Sequence, residues 1–168
     1  MIVRPAEPGD AAALVAFATA VSAEPEGWLV SKEWRSVGEE RRFLRAVRHH
    51  PDAAVLVAEL DGAVVGRLSL ARDQHPASPH VADLGLMVDA RARRRGVGRA
   101  LLEGAVKWAR EHSVTKLELH VFPWNEPAIK LYEAFGFVRE GYRTGHYLRD
   151  GEPTDAILMA LEVDRTDL

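Results

Sequence analysis

The sequence predicts an α/β fold, equally describable as α+β, in which helices cover a mixed sheet. Two features carry this. Two valine- and leucine-rich runs are joined by Asp61-Gly62, a strong signal for a two-residue hairpin turn, and a later segment alternates strand, helix and strand. No repeat, linker or low-complexity stretch interrupts the 168 residues, so a single domain over 1–168 is expected.

Ile2 to Pro5 reads as an opening strand, with a turn at Pro8-Gly9 and Asp10 placed to cap an alanine-rich helix through Leu14, Val15 and Phe17. Pro25 stops that helix. Ser22 to Ser36 is irregular, and Val37 to Arg48 resumes helical periodicity with Phe43, Leu44 and Val47 on one side. Ala53 to Leu60 and Ala63 to Ala71 form the hairpin, and Val81 to Val88 follows as another strand. A helix runs from about Gly98 to His112, a strand from Lys116 to Val121, and a helix from Glu126 to Phe135 that Gly136 ends. Phe137 to Tyr147 then pairs with Thr154 to Glu162 across Asp150-Gly151, completing the order βααβββαβαββ.

Composition excludes several functions. A formal net charge of -3 leaves no global positive field to gather nucleic acid or anionic lipid. No stretch approaches the roughly 18 apolar residues of a membrane span, and Met1 to Asp10 is too polar for a signal peptide, which makes the cytoplasm the expected location. Without cysteine there is no disulfide, thiolate ligand or cysteine nucleophile, and the seven histidines lack metal-binding spacing, so no metal is expected.

The chemistry concentrates where the strand ending at Val88 meets the next helix, at Arg91-Ala92-Arg93-Arg94-Arg95-Gly96-Val97-Gly98-Arg99. The first turn of a helix has amide hydrogens without internal partners, and its dipole adds partial positive charge. A diphosphate can therefore bind there if no Cβ obstructs it. Gly96 and Gly98 would remove that obstruction, and the arginines could reach phosphate oxygens. The run is neither a Walker loop nor GxGxxG. By itself it also suits a solvated loop whose glycines merely turn the chain, or a small nucleic-acid patch that the acidic remainder opposes.

Arg93, Gly96 and Gly98 resemble motif A of the GNAT acetyltransferase superfamily, and Asn125-Glu126-Pro127-Ala128-Ile129-Lys130-Leu131-Tyr132 through Gly136-Phe137 resembles its second hallmark. The likeness runs from Ala53 to the C-terminus and is greatest to bacterial amino-acid N-acyltransferases and phosphinothricin acetyltransferase relatives. It departs at Ala90, where the family often has proline, and at Arg94, where it often has glycine.

The resemblance implies a mostly antiparallel seven-stranded sheet with helices on both faces and splayed central strands, with Gly85 as a bulge. It implies acetyl-coenzyme A as co-substrate, held by Met87, Val88, Arg93, Arg94, Arg95, Gly96, Val97, Gly98, Arg99, Asn125 and Ala128, and a homodimer. Tyr132 would be general acid to the coenzyme sulfur and Asp83 general base through water, with His80 or His120 as alternatives. Trp28, Leu29 and Trp34 would cover the acceptor, with Glu24 and Glu26 attracting its amine. That acceptor is expected to be an amino acid or similar small amine. A protein N-terminus, a lysine or a polyamine, or a non-catalytic acyl-coenzyme A binding module, are the alternatives.

Overall fold

In the computed structural model, residues 1–30 and 33–164 are described. Seven strands form one sheet in the order β1-β2-β3-β4-β5-β7-β6. They are β1 (Ile2–Pro5), β2 (Ala53–Leu60), β3 (Ala63–Arg72), β4 (Val81–Val88), β5 (Lys116–Val121), β6 (Val138–Arg149) and β7 (Glu152–Glu162). The helices are α1 (Ala11–Ser22), α2 (Val37–Val47), α3 (Val97–Glu111) and α4 (Glu126–Phe135), so the expected order holds throughout. Ser31 and Lys32, inside the stretch read as irregular, lie outside the described residues.

Both hairpins turn as their sequences require. Asp61 and Gly62 have φ of 52° and 80°, Asp150 and Gly151 of 52° and 78°, the paired positive values that match the twist of antiparallel strands. Ser36 caps α2 in a reciprocal box with Glu39. Asp10 corrects its sequence reading. It occupies the N-cap position of α1, but its carboxylate does not cap the helix; it takes both Arg4 Nη groups at 2.9 Å and the Glu7 amide at 2.7 Å. The charged partner from β1 outcompetes a neutral helix amide.

Alternation along the strands divides the core in two. Leu68, Leu84 and Leu117 face α3 and α4, meeting Leu101, Leu102 and Ile129. Val55, Val57 and Met87 face α1 and α2, meeting Leu14, Phe17 and Leu44. Each such buried side chain contributes roughly 1.5–3 kcal/mol.

Every neighbouring pair in the sheet is antiparallel except β4 and β5. Those two run parallel and pair only from Val81–Lys116 to Asp83–Glu118. Beyond that point β5 stays with β7 as far as Val121 and β4 stays with β3 as far as Val88, so a gap opens between them. Gly85 is not a bulge. It pairs with Ser69 in unbroken register, and the splay comes from the two strands following different neighbours. Among the described residues no helix is long and apolar enough to cross a membrane.

Candidate functional site

A cavity of about 760 Å³ follows this gap and reaches the start of α3. Its wall includes Met87, Val88, Arg93, Arg94, Gly96, Val97, Gly98, Arg99, Asn125, Ala128 and Tyr132, which gathers nearly all the residues expected from sequence. Arg95 and Asp83 are outside the lining.

At the helix mouth, the first intrahelical bond is Ala100 N–H to the Gly96 carbonyl at 3.0 Å. Among the described residues no side chain caps the amides before it, in contrast to α2 and α4. These amides and the helix dipole suit an anion. The two glycines play different parts. Gly96 has φ of 79°, a left-handed geometry that disfavours a Cβ. A Cβ on Gly98 would lie 2.7 Å from Leu131 Cδ2, so Gly98 lets α4 pack against α3. Arg94 takes φ of 60° where the resemblance suggests glycine, so the turn keeps its shape despite the side chain.

Most of the arginines have carboxylate partners. Arg91 binds Asp89 at 2.8 Å, Arg93 binds Glu24 through two contacts of 2.8 Å, Arg95 reaches Asp61 at 3.4 Å, and Arg99 reaches Glu103 at 3.4 Å. Arg94 makes no ion pair among the described residues and borders the cavity. Glu24, expected to attract an amine, instead takes Arg93 and the Trp28 indole N–H, which holds its carboxyl below the usual range.

The β4 edge of the gap supplies backbone groups. Asp89 N–H bonds Val65 of β3 at 2.8 Å, and by ladder alternation Met87 also turns its backbone toward β3. Leu84, Leu86 and Val88 turn theirs toward the gap. This corrects the reading of Met87 as a backbone partner; Val88 turns its backbone to the gap, where its carbonyl accepts from Arg93 Nη2 at 3.3 Å. Asn125 caps α4, its Oδ1 accepting from Ala128 N–H at 3.3 Å, so this side chain fixes the helix at the cavity wall.

Tyr132 is 6% exposed and packs against Phe137 with ring centroids 5.6 Å apart. Burial pushes its phenol well above the ordinary value, so the hydroxyl stays protonated through neutral pH. Asp83 faces the α1–α2 side, with Glu118 at its register position. It is solvent-exposed, yet crowding protein and then the Glu118 charge push its carboxyl up to about 6.

His120 lines the cavity, and its Nδ1 lies 2.6 Å from the Tyr147 hydroxyl. Burial, then Arg143 and His146, lower the His120 pKa and favour the neutral ring. His80 is exposed and outside the cavity lining. Sequence reasoning missed Tyr147, because its meeting with His120 depends on β6 lying beyond β7.

Arg67 was also missed, although it is the only charged residue between Ala63 and Ala71. It is 6% exposed and lines the cavity on the α1–α2 side, where Trp28 and Trp34 contribute the cover. Its guanidinium carbon lies 5.2 Å from the Trp34 ring centroid, and its Nε is buried without a hydrogen bond. The buried Glu40 comes only to 3.7 Å of that Nε, while it receives a direct hydrogen bond from Arg35. Burial first, offset by Glu40, brings Arg67 down to about 10, so it remains a cation at neutral pH.

This arrangement can bind an anion at one end of a channel, hydrogen-bond an extended arm along β4, and offer a buried phenol beside it. The Acetyltransferase (GNAT) family model matches residues 15–137. The L-amino acid N-acetyltransferase AaaT of Escherichia coli strain K12 is 44% identical over 114 residues, 66% of this chain and 68% of that protein. An N-alpha-acetyltransferase of Sulfurisphaera tokodaii is 37% identical over 118 residues, 65% of this chain and 69% of that one. A crystal structure of a GNAT-family acetyltransferase from Streptococcus pneumoniae superposes with a TM-score of 0.85 at 31% identity, covering 97% of this chain and 99% of the other.

Proposed function

The chain belongs to the acetyltransferase (GNAT) family, and from that premise we propose that it transfers an acetyl group from acetyl-coenzyme A to the amine of a small acceptor, an amino acid or close analogue. The observation that carries this reading is the common cavity, which joins the uncapped mouth of α3, the β4–β5 gap and Tyr132. Acetyl-coenzyme A supplies a thioester, an acyl carbon already activated toward an amine.

The residues divide the work along the channel. Val97, Gly98 and Arg99 offer amides to a diphosphate, with Arg94 adding a cation at the rim. Leu86 and Val88 present backbone groups to the amide-bearing arm, and a β4 N–H polarises the reacting carbonyl. Ala128, held by Asn125, keeps that wall in place.

An amine attacks only when neutral. Asp83 serves as the base through water, its pKa raised toward the working pH, and Tyr132 holds a proton on its oxygen for the departing sulfur. The His120–Tyr147 pair is a second route for the amine proton, favoured because it lines the cavity directly. Trp28 and Trp34 cover the acceptor and limit water.

Likeness to an N-alpha-acetyltransferase favours a second reading, in which the acceptor is a polypeptide N-terminus. The test is thiol release from acetyl-coenzyme A across free amino acids, polyamines and short peptides. The proposal expects turnover with one or more free amino acids and little with peptides. Turnover restricted to peptides would select the second reading, and no turnover with any amine would overturn acetyl transfer.

A further inference from the structure

We infer that Arg67 is the anchor for the acceptor's carboxylate, which makes a free amino acid, rather than a bare amine, the preferred acceptor; the assignment rests on the acetyl-transfer reading above. Three observations carry it. Arg67 is a buried cation on the cavity wall, and its Nε lacks the hydrogen bond that a buried donor normally has. Its neighbour Glu40 gives Oε2 to Arg35 and turns Oε1 toward Arg67 at 3.7 Å, leaving two guanidinium groups around one carboxylate and one positive charge in excess. An incoming carboxylate would supply the missing charge, meeting the guanidinium through its Nη groups, since Nε is buried against the likewise unpaired Glu40 Oε1.

The neighbouring floor suits such a ligand. Arg67 pairs with Met87, Ser69 with Gly85 and Ala71 with Asp83 across β3 and β4, so Arg67, Ser69 and Asp83 project on one face. Gly85 leaves bare backbone between the cation and the proposed base, with the Ser69 hydroxyl beside it; a Cβ at Gly85 would lie 3.1 Å from Ser69 Oγ. A carboxylate held at Arg67 therefore directs the adjacent amine toward Asp83 and the gap. A bare amine lacks that handle, and beside an excess cation its protonated form is repelled.

The test uses the full chain, acetyl-coenzyme A, and three acceptors: the L-amino acid turned over fastest, its carboxamide, and the corresponding amine without the carboxyl group. In the wild type, kcat/KM for the amino acid should exceed that for the other two by at least about tenfold, mainly through KM, as loss of a charge-assisted bond implies. Arg67→Gln should bring the ratio near one and Arg67→Lys should fall between, with acetyl-coenzyme A affinity and melting temperature confirming a folded protein. A purely structural role would raise KM for all three acceptors together.

If Arg67→Gln does not fold, Glu40→Gln decides. Removing the competing carboxylate should lower KM for the amino acid and raise, or at least not lower, that for the amine. Equal wild-type use of all three acceptors, a ratio preserved in Arg67→Gln, or no selective change in Glu40→Gln would overturn the anchor while leaving acetyl transfer intact. Turnover of none of the three would overturn acetyl transfer itself, and the anchor with it.

Discussion

Arg93 and Glu24, 69 residues apart in sequence, meet fork to fork with two contacts of 2.8 Å. The pair ties the end of α1 to the turn before α3, and so couples the segment that bears Trp28 to the mouth of α3. Both side chains are partly exposed, which limits their worth to about 1 kcal/mol or less. Glu24→Gln and Arg93→Gln should each cost that much in denaturant unfolding, and the double variant should cost little more than either. Because Arg94 has no ion pair among the described residues, Arg94→Gln should weaken acetyl-coenzyme A binding more than Arg93→Gln, as read by calorimetry.

The glycines of the cradle should fail in different ways. Gly98→Ala places a methyl 2.7 Å from Leu131 Cδ2 and should destabilise the fold by roughly 1–3 kcal/mol, the range for overpacking. Leu131→Ala in the same chain should recover part of that loss in thermal unfolding. A Cβ at Gly96 would make only an ordinary contact, 3.9 Å from Met1 Cε, but the φ is 79°, so Gly96→Ala should cost about 1–2 kcal/mol through backbone strain and should not be relieved by Leu131→Ala.

Removing the Tyr132 hydroxyl deletes a proton donor and little packing. Tyr132→Phe should lower kcat by about 10²-fold or more, the scale of general-acid catalysis, while acetyl-coenzyme A affinity changes less than threefold, or about 0.7 kcal/mol. Burial holds the wild-type phenol protonated, so the alkaline limb should not come from Tyr132.

The Asp83 carboxyl, pushed up to about 6, accepts a proton only when ionised. Activity should therefore rise with pH through about 6, and Glu118→Gln should move that limb downward by removing the charge that helps raise it. Asp83→Asn should abolish the limb. The folded protein binds the Asp83 proton more tightly than the unfolded chain, so this group's effect on stability worsens as pH climbs from the ordinary carboxylate value through about 6. Asp83→Asn should thus raise the melting temperature at pH 7 relative to wild type, with little difference at pH 4.

Local patterns made most of the fold legible. Asp-Gly pairs fixed both hairpins, and the glycine pair marked the uncapped start of α3. Long-range pairing hid the rest. The partners of Arg93 and Arg95, Glu24 and Asp61, are distant in sequence, and Asp10 abandons its helix cap for Arg4 across the first turn. Gly85 suggested a bulge, whereas the gap arises because β4 and β5 follow different neighbours. The charge of Arg67 was visible in the interior of β3, but its buried position beside Glu40 required α2 to be docked.

Calorimetric titration of acetyl-coenzyme A into the wild-type chain and Gly96→Val reads the mouth of α3 itself, because that substitution strains and crowds its amides. Wild type should show saturable one-site binding, and a folded variant should bind at least about tenfold more weakly, a difference of about 1.4 kcal/mol. Absence of binding to wild type, or equal affinity in the two proteins, would contradict diphosphate binding at α3.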